Sequence, residues 1–170
     1  MNLSRDNSKK LEILPTYYYN MGIEVIDMLI STKGRYALRV LIDMAEHSKT
    51  EYIKLSDIAE RQEISGKYLE SIVKELVRSN IVIGLRGKGG GYKLAGAPED
   101  IVVGDVLRIM EGGLSPVACL EDSGRICPRI SGCRTLEFWR GLDRVIRQYS
   151  DGFTIADLMR RDETGNDYII

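Results

Sequence analysis

No cysteine precedes position 119, only one histidine occurs in 170 residues, and every apolar run is soon interrupted by charge. A bilayer span needs about 20 consecutive apolar residues, so nothing here crosses a membrane, and no segment reads as a secretory signal. The expectation is a soluble cytoplasmic protein with reduced cysteines. Also missing are a Cys-x-x-Cys at a helix start and a thioredoxin-like βαβ pattern, which ranks a thiol oxidoreductase last among the readings. The single histidine, His47, ends the first helical pattern, where such a residue more often caps a helix or faces solvent than binds metal.

What cysteine there is falls within 15 residues, as Cys119, Cys127 and Cys133 on a Gly-, Ser- and Pro-bearing loop. Thiols gathered this tightly look like the ligands of one soft metal centre, and their odd number argues against a closed disulfide framework. The bland alternative is three small buried apolar side chains. Structural zinc usually arrives through Cys-x-x-Cys knuckles, whereas seven and then five residues separate these cysteines. That spacing favours an open loop around a cluster, although thiolates suit zinc and iron-sulfur centres alike.

The net charge of −1 hides an asymmetry: residues 28–97 carry 12 Lys and Arg against 8 Asp and Glu, and residues 98–170 carry 9 against 13. Only the first of these stretches is suited to a polyanion. Residues 1–27 are polar and turn-rich at first, then aromatic without a sustained period. Met28-Leu-Ile-Ser-Thr-Lys-Gly reads as a chain start, and Glu24-Val25-Ile26 back-translates to a string like a ribosome-binding site. We therefore expect residues 1–27 to be disordered or wrongly assigned to the coding sequence, a point that mass spectrometry of the native N-terminus decides.

From Ser31 the periodicity is helical, with Ala37, Val40, Leu41, Met44 and Ala45 on one face. A shorter helix follows, with Leu55, Ile58 and Ala59 inward. After Glu63-Ile64-Ser65, with Ser65 as a capping serine, another runs from about Gly66 to Asn80 on Leu69, Ile72, Val73, Leu76 and Val77. The pair makes a helix-turn-helix that presents Lys67, Tyr68, Glu70, Ser71 and Lys74 outward, and in DNA readers the second helix of such a pair enters the major groove. Lys33 and Arg35, near the start of the first helix, are candidate phosphate contacts, although Arg35 is equally able to pair with an acidic neighbour.

Ile81–Arg86 and Tyr92–Ala95 read as strands around Gly87-Lys-Gly-Gly-Gly91, a β-hairpin wing. The glycines allow close approach to another molecule, and Arg86 and Lys88 flank the tip, suited to a narrow minor groove. A nucleotide phosphate loop is excluded because no helix follows the glycines and the lysine-serine ending is missing.

Taken in order, Ser31-Thr-Lys-Gly-Arg-Tyr-Ala-Leu38, Leu55-Ser-Asp-Ile-Ala59, Ile64-Ser-Gly-Lys-Tyr-Leu-Glu70, Arg86-Gly-Lys-Gly-Gly-Gly-Tyr92 and the cysteine loop resemble the Rrf-two family of winged-helix regulators, and within it the iron-sulfur-cluster regulators. The resemblance implies that Glu70 accepts from cytosine amino groups, that Ser65 and Tyr68 lie at the DNA-facing start of the recognition helix, and that Arg86 is the minor-groove arginine. Lys67 replaces a serine, so the base sequence read is expected to differ. The resemblance also implies a two-iron two-sulfur cluster, or in some members a four-iron one, on three cysteines and a fourth, non-cysteine ligand. Here the first gap is two residues longer than in that branch, and Leu136 stands where it has a histidine. Glu137, Glu121, Asp122, a partner residue or a small thiol are left as fourth-ligand candidates.

Ile101–Met110 reads as a helix, and a long one is expected from Arg134 to Tyr149. Its stripe of Leu136, Trp139, Leu142, Ile146 and Tyr149 is too long for the small domain to cover and suits a second copy. The resemblance implies a homodimer with crossed long helices reading a pseudo-palindromic DNA operator. The expected fold is mainly α with a small β-hairpin wing (α+β). It comprises a winged helix-turn-helix domain over 28–97, the cysteine loop and dimerisation helix over 98–160, and a flexible tail over 161–170. The function expected is a dimeric repressor governed by a cluster that senses iron-sulfur status, redox state or nitric oxide. The alternative is a repressor of cysteine metabolism acting through a protein partner, a thiol switch or zinc.

Overall fold

The computed structural model describes residues 30–47, 51–121 and 127–160. The expectations for residues 1–27, for the tail 161–170 and for Asp122 lie outside the described residues. Helix α1, Thr32–His47, buries Ala37, Val40, Leu41 and Met44 at the three- and four-residue steps of its sequence. Ser31 caps it: the hydroxyl accepts from the backbone N–H of Lys33 at 3.1 Å and of Gly34 at 3.3 Å.

Helix α2, Leu55–Gln62, ends where Glu63 takes φ 55°, and Ile64 N–H returns to the Ala59 carbonyl. Three residues later α3, Gly66–Arg78, sets Leu69, Ile72, Val73 and Leu76 into the core. The expectation of a capping Ser65 is half met. Ser65 occupies the cap position and its carbonyl accepts from Tyr68 and Leu69, but its hydroxyl caps nothing and the residue is exposed. Helix α3 stops two residues short of Asn80 because Asn80 adopts φ 57° and Ile81 N–H bonds the Leu76 carbonyl.

Strands β1, Val82–Leu85, and β2, Gly91–Leu94, pair antiparallel from Val82↔Leu94 to Leu85↔Gly91. Tyr92 also pairs outward with Ile53, through N–H···O bonds of 2.9 and 2.8 Å, so the link before α2 adds one bridge on the free side of β2. The glycines have reasons inside the hairpin. Gly87 and Gly89 take positive φ, while a Cβ on Gly90 would meet the Leu85 carbonyl and one on Gly91 the Ile53 carbonyl.

Helix α4, Val103–Glu111, starts two residues later than its apolar pattern begins. Ile101 and Val102 are held extended, because the Ile101 carbonyl accepts from Ile155 N–H and Val102 bridges Thr154. Glu111, the last residue of α4, accepts from Ser31 N at 3.1 Å and Ser31 Oγ at 3.0 Å, which ties α4 to the start of α1. Helix α5, Leu136–Asp151, is followed by α6, Ile155–Met159, which opens with a Thr154–Asp157 capping box. Ile155 is fully buried with Leu41, Leu69 and Val106, so one core holds side chains from both sides of residue 97.

Candidate functional site

The outer face of α3 follows from its periodicity. Leu69 is buried, so Lys67, Tyr68, Glu70 and Ser71 around it point to solvent, as does Ser65 in the turn. Ser71 Oγ donates to the Tyr68 carbonyl at 2.6 Å. The start of α1 lies beside this face, since the rings of Tyr36 and Tyr68 meet edge-on with centroids 6.0 Å apart. Lys33 is half-buried, while Arg35 is exposed and donates to the Thr32 hydroxyl at 3.1 Å instead of pairing with a carboxylate. Arg86 and Lys88 are exposed in the loop between β1 and β2, where Gly90 N–H closes a turn on the Gly87 carbonyl.

The three cysteines are free and half-buried. Cys119 lies in a short turn, Ala118–Leu120, and Cys127 and Cys133 flank another, Ile130–Gly132. Donor chemistry fits a soft metal or cluster, because three thiols free of disulfides lie outside the α-helices and strands. Among the described residues, however, no three His, Cys, Asp or Glu side chains gather into a metal-holding group.

Cys133 sits where α5 begins. Hydrogen bonds from the Thr135 side chain, and then from backbone N–H groups where α5 begins, hold its thiol below the ordinary cysteine range. Thr135 Oγ1 lies 3.5 Å from the sulfur and also accepts from Trp139 Nε1 at 3.2 Å.

Of the fourth-ligand candidates, Glu137 is exposed and pairs with Arg140 at 3.0 Å, and Glu121 lies against Gly113. His47 turns Nδ1 to the Asp43 carbonyl of its own helix at 2.8 Å.

A polar brace runs from α5 to the first cysteine turn. Arg147 donates to Asp143 Oδ2 at 2.9 Å and to Ser115 Oγ at 3.2 Å, and the buried Ser115 donates to the Leu120 carbonyl at 3.1 Å. Sequence reasoning missed it, because none of these residues stands out by spacing.

The long helix divides its apolar residues between two faces. Ile146 packs under Val103, Leu107 and Leu114, and Leu136, Trp139 and Leu142 are half-buried. Phe138, Val145 and Tyr149 are 65%, 61% and 70% exposed. Of the expected stripe, Tyr149 alone is fully outward. Phe138 and Val145 lie outside that stripe, and 138-142-145-149 follows the four-three-four step of a coiled-coil seam.

The Rrf2 family model, described as an iron-dependent transcriptional regulator, matches residues 30–161. The protein rrf2 of Nitratidesulfovibrio vulgaris is 39% identical over 133 residues, 78% of this chain and 88% of that one. The HTH-type transcriptional regulator IscR of Aliivibrio salmonicida is 35% identical over 136 residues, 80% of either chain. Among solved structures, CymR, the global cysteine regulator of B. subtilis, is 34% identical with TM-score 0.58, covering 77% of this chain and 95% of that one. IscR of T. potens is 33% identical with TM-score 0.58, over 82% and 88%. Among the described residues no helix is long and apolar enough to cross a membrane.

Proposed function

The chain belongs to the Rrf2 family of transcriptional regulators, and on that premise we propose that it is a repressor that binds a pseudo-palindromic operator as a homodimer, with a DNA affinity set by an iron-sulfur cluster on Cys119, Cys127 and Cys133. The observation that carries the DNA-binding part is the first turn of α3. Lys67, Tyr68 and Glu70 stand exposed around the buried Leu69, beside the start of α1. In this reading Glu70 accepts from cytosine amino groups, Ser65 and Tyr68 lie at the DNA-facing start of α3, Lys67 alters the base sequence read, and Lys33 and Arg35 meet phosphates. Arg86 and Lys88 enter the minor groove. The exposed Phe138, Val145 and Tyr149 of α5 pack on the partner copy, placing two α3 helices about one DNA turn apart.

A cluster, when bound, supplies a centre that is altered by oxidation, iron loss or nitric oxide. The chain's own part is to gather three thiolates, and hydrogen bonds at the start of α5 favour the thiolate form of Cys133. The protein also has to answer to that centre: Ser115 and Arg147 connect the turn that holds Cys119 to α5, so a change at this thiol is felt where the partner packs. A two-iron cluster is the first form to look for, with its fourth ligand among Glu121, Asp122, Glu137, a partner residue or a small thiol.

Anaerobic purification followed by absorption spectroscopy, iron, sulfide and zinc analysis, and DNA shift assays tests the proposal. Iron and sulfide with visible absorption, and a DNA affinity that changes on cluster loss, is the expected result. A colourless zinc-only protein overturns the cluster part and leaves the second reading, a thiol switch or zinc site.

A further inference from the structure

We propose that Tyr36 and Arg39 of α1 are positioning residues for DNA recognition, holding the ring of Tyr68 in place at the first turn of α3. The inference rests on the DNA-binding reading above and adds residues to it.

Tyr36 and Tyr68 form an edge-to-face pair, with an interplanar angle of 73° and centroids 6.0 Å apart. On Tyr36 lies the Arg39 guanidinium, its carbon 5.1 Å from the ring centroid. Arg39 is itself fixed, because Nε donates to Gln62 Oε1 at 3.1 Å and Nη2 donates to the Gln62 carbonyl. Gln62 has one workable orientation. With Oε1 on Arg39, its Nε2 donates to Asp43 Oδ2 at 2.9 Å, and a flipped amide would face donor to donor and acceptor to acceptor. An unbroken series of contacts thus runs from the buried carboxylate of Asp43 through Gln62, Arg39 and Tyr36 to Tyr68.

Folding gains little from the outer end of this series, since Arg39 and Tyr68 are both exposed. A DNA reader gains more. An exposed tyrosine must be ordered on binding, and a ring already held between α1 and α3 has lost that freedom beforehand. Tyr36 and Arg39 come from the first helix of the domain, so they act on the groove through Tyr68 and not as readers of bases.

The test uses the full chain and a duplex that the wild-type protein selects from a random-sequence pool. Dissociation constants and melting temperatures are measured for Tyr68→Ala, Tyr36→Leu, Tyr36→Phe, Arg39→Met and the pairs of Tyr36→Leu and Arg39→Met with Tyr68→Ala. Tyr36→Leu should weaken binding roughly three- to tenfold, and Arg39→Met about two- to fivefold. Tyr36→Phe keeps the ring and should bind like wild type. Neither Tyr36→Leu nor Arg39→Met should weaken binding further in the Tyr68→Ala background. Wild-type affinity in Tyr36→Leu, or the same loss with and without the Tyr68 ring, overturns the proposal. Should Tyr36→Leu lower the melting temperature, the surface change Arg39→Met decides by the same criteria. A wild-type protein that selects no duplex removes the DNA-binding reading itself, which is a different result from a selected duplex indifferent to Tyr36 and Arg39.

Discussion

Asp43 of α1 and Arg61 of α2 meet in a two-pronged ion pair, Nε at 2.9 Å and Nη2 at 2.6 Å from the two carboxylate oxygens, with Asp43 only 1% exposed. Burial opposes a charge on Asp43. Hydrogen bonds from Arg61 and Gln62, together with the Arg61 charge, outweigh that opposition and hold its carboxyl below the usual carboxylate range. The pair fixes how α2 sits on α1, and so where the turn and α3 follow.

Replacing Asp43 by Ala leaves Gln62 and Arg61 without their acceptor, and stability should fall by about 3 kcal/mol in urea unfolding at pH 7. A carboxyl with a depressed native pKa stabilises fully above its unfolded pKa, about 3.9, and loses that contribution as pH falls through the lower native value. The gap between wild type and Asp43→Ala should therefore close progressively below about pH 4. A gap that is constant from pH 7 to pH 3 would rule out the ionised pair as its source.

On DNA, Arg86→Ala should weaken binding most at A·T-rich flanks and reduce the salt dependence of the dissociation constant by about one counterion, read from a log–log plot. Glu70→Ala should instead relax preference at one base pair, by about 1 to 3 kcal/mol, without changing the salt slope. Unchanged affinity in Arg86→Ala removes the wing from the interface.

In metal-free protein, Cys133 should alkylate at a lower pH than an ordinary cysteine, followed peptide by peptide in the mass spectrometer. Thr135→Val removes the leading hydrogen bond and should shift the Cys133 profile to higher pH. Coincident profiles for the two proteins would show that Thr135 does not set the acidity.

Placing a carboxylate in the seam of α5, as in Val145→Glu, should shift the protein from dimer to monomer in sedimentation equilibrium and weaken binding to a two-half-site duplex much more than to a single half-site. Val145 is 61% exposed within the chain, so each monomer should stay folded, and its stability gap to wild type should widen as protein concentration rises, as loss of association requires. A dimer that survives the substitution places the interface elsewhere.

The helices α1, α2 and α3 and the hairpin were legible because each carries its own period and its own stop. Apolar steps of three and four mark α1 and α3, and glycines bracket the wing. The outward set Lys67, Tyr68 and Glu70 followed from the same period. Long-range pairing was not legible. The extended Ile101 and Val102 look like the start of a helix until Thr154 and Ile155 return to bond them, and Ile53 looks like link until Tyr92 pairs with it. A capping role for Ser65 was read from residue type, but rotamer and exposure decide whether a hydroxyl turns to the backbone.

Local order along the chain is a property of short windows, and so the sequence alone determined the winged helix-turn-helix elements, the tight cysteine cluster and the presence of a long amphipathic helix. Which face of that helix is covered within the chain, and which polar groups meet across 18 residues from Asp43 to Arg61 or 32 from Ser115 to Arg147, depends on how elements pack. Only the tertiary structure decided those, because a buried carboxylate or an outward Phe138 acquires its meaning from neighbours that the chain brings from elsewhere.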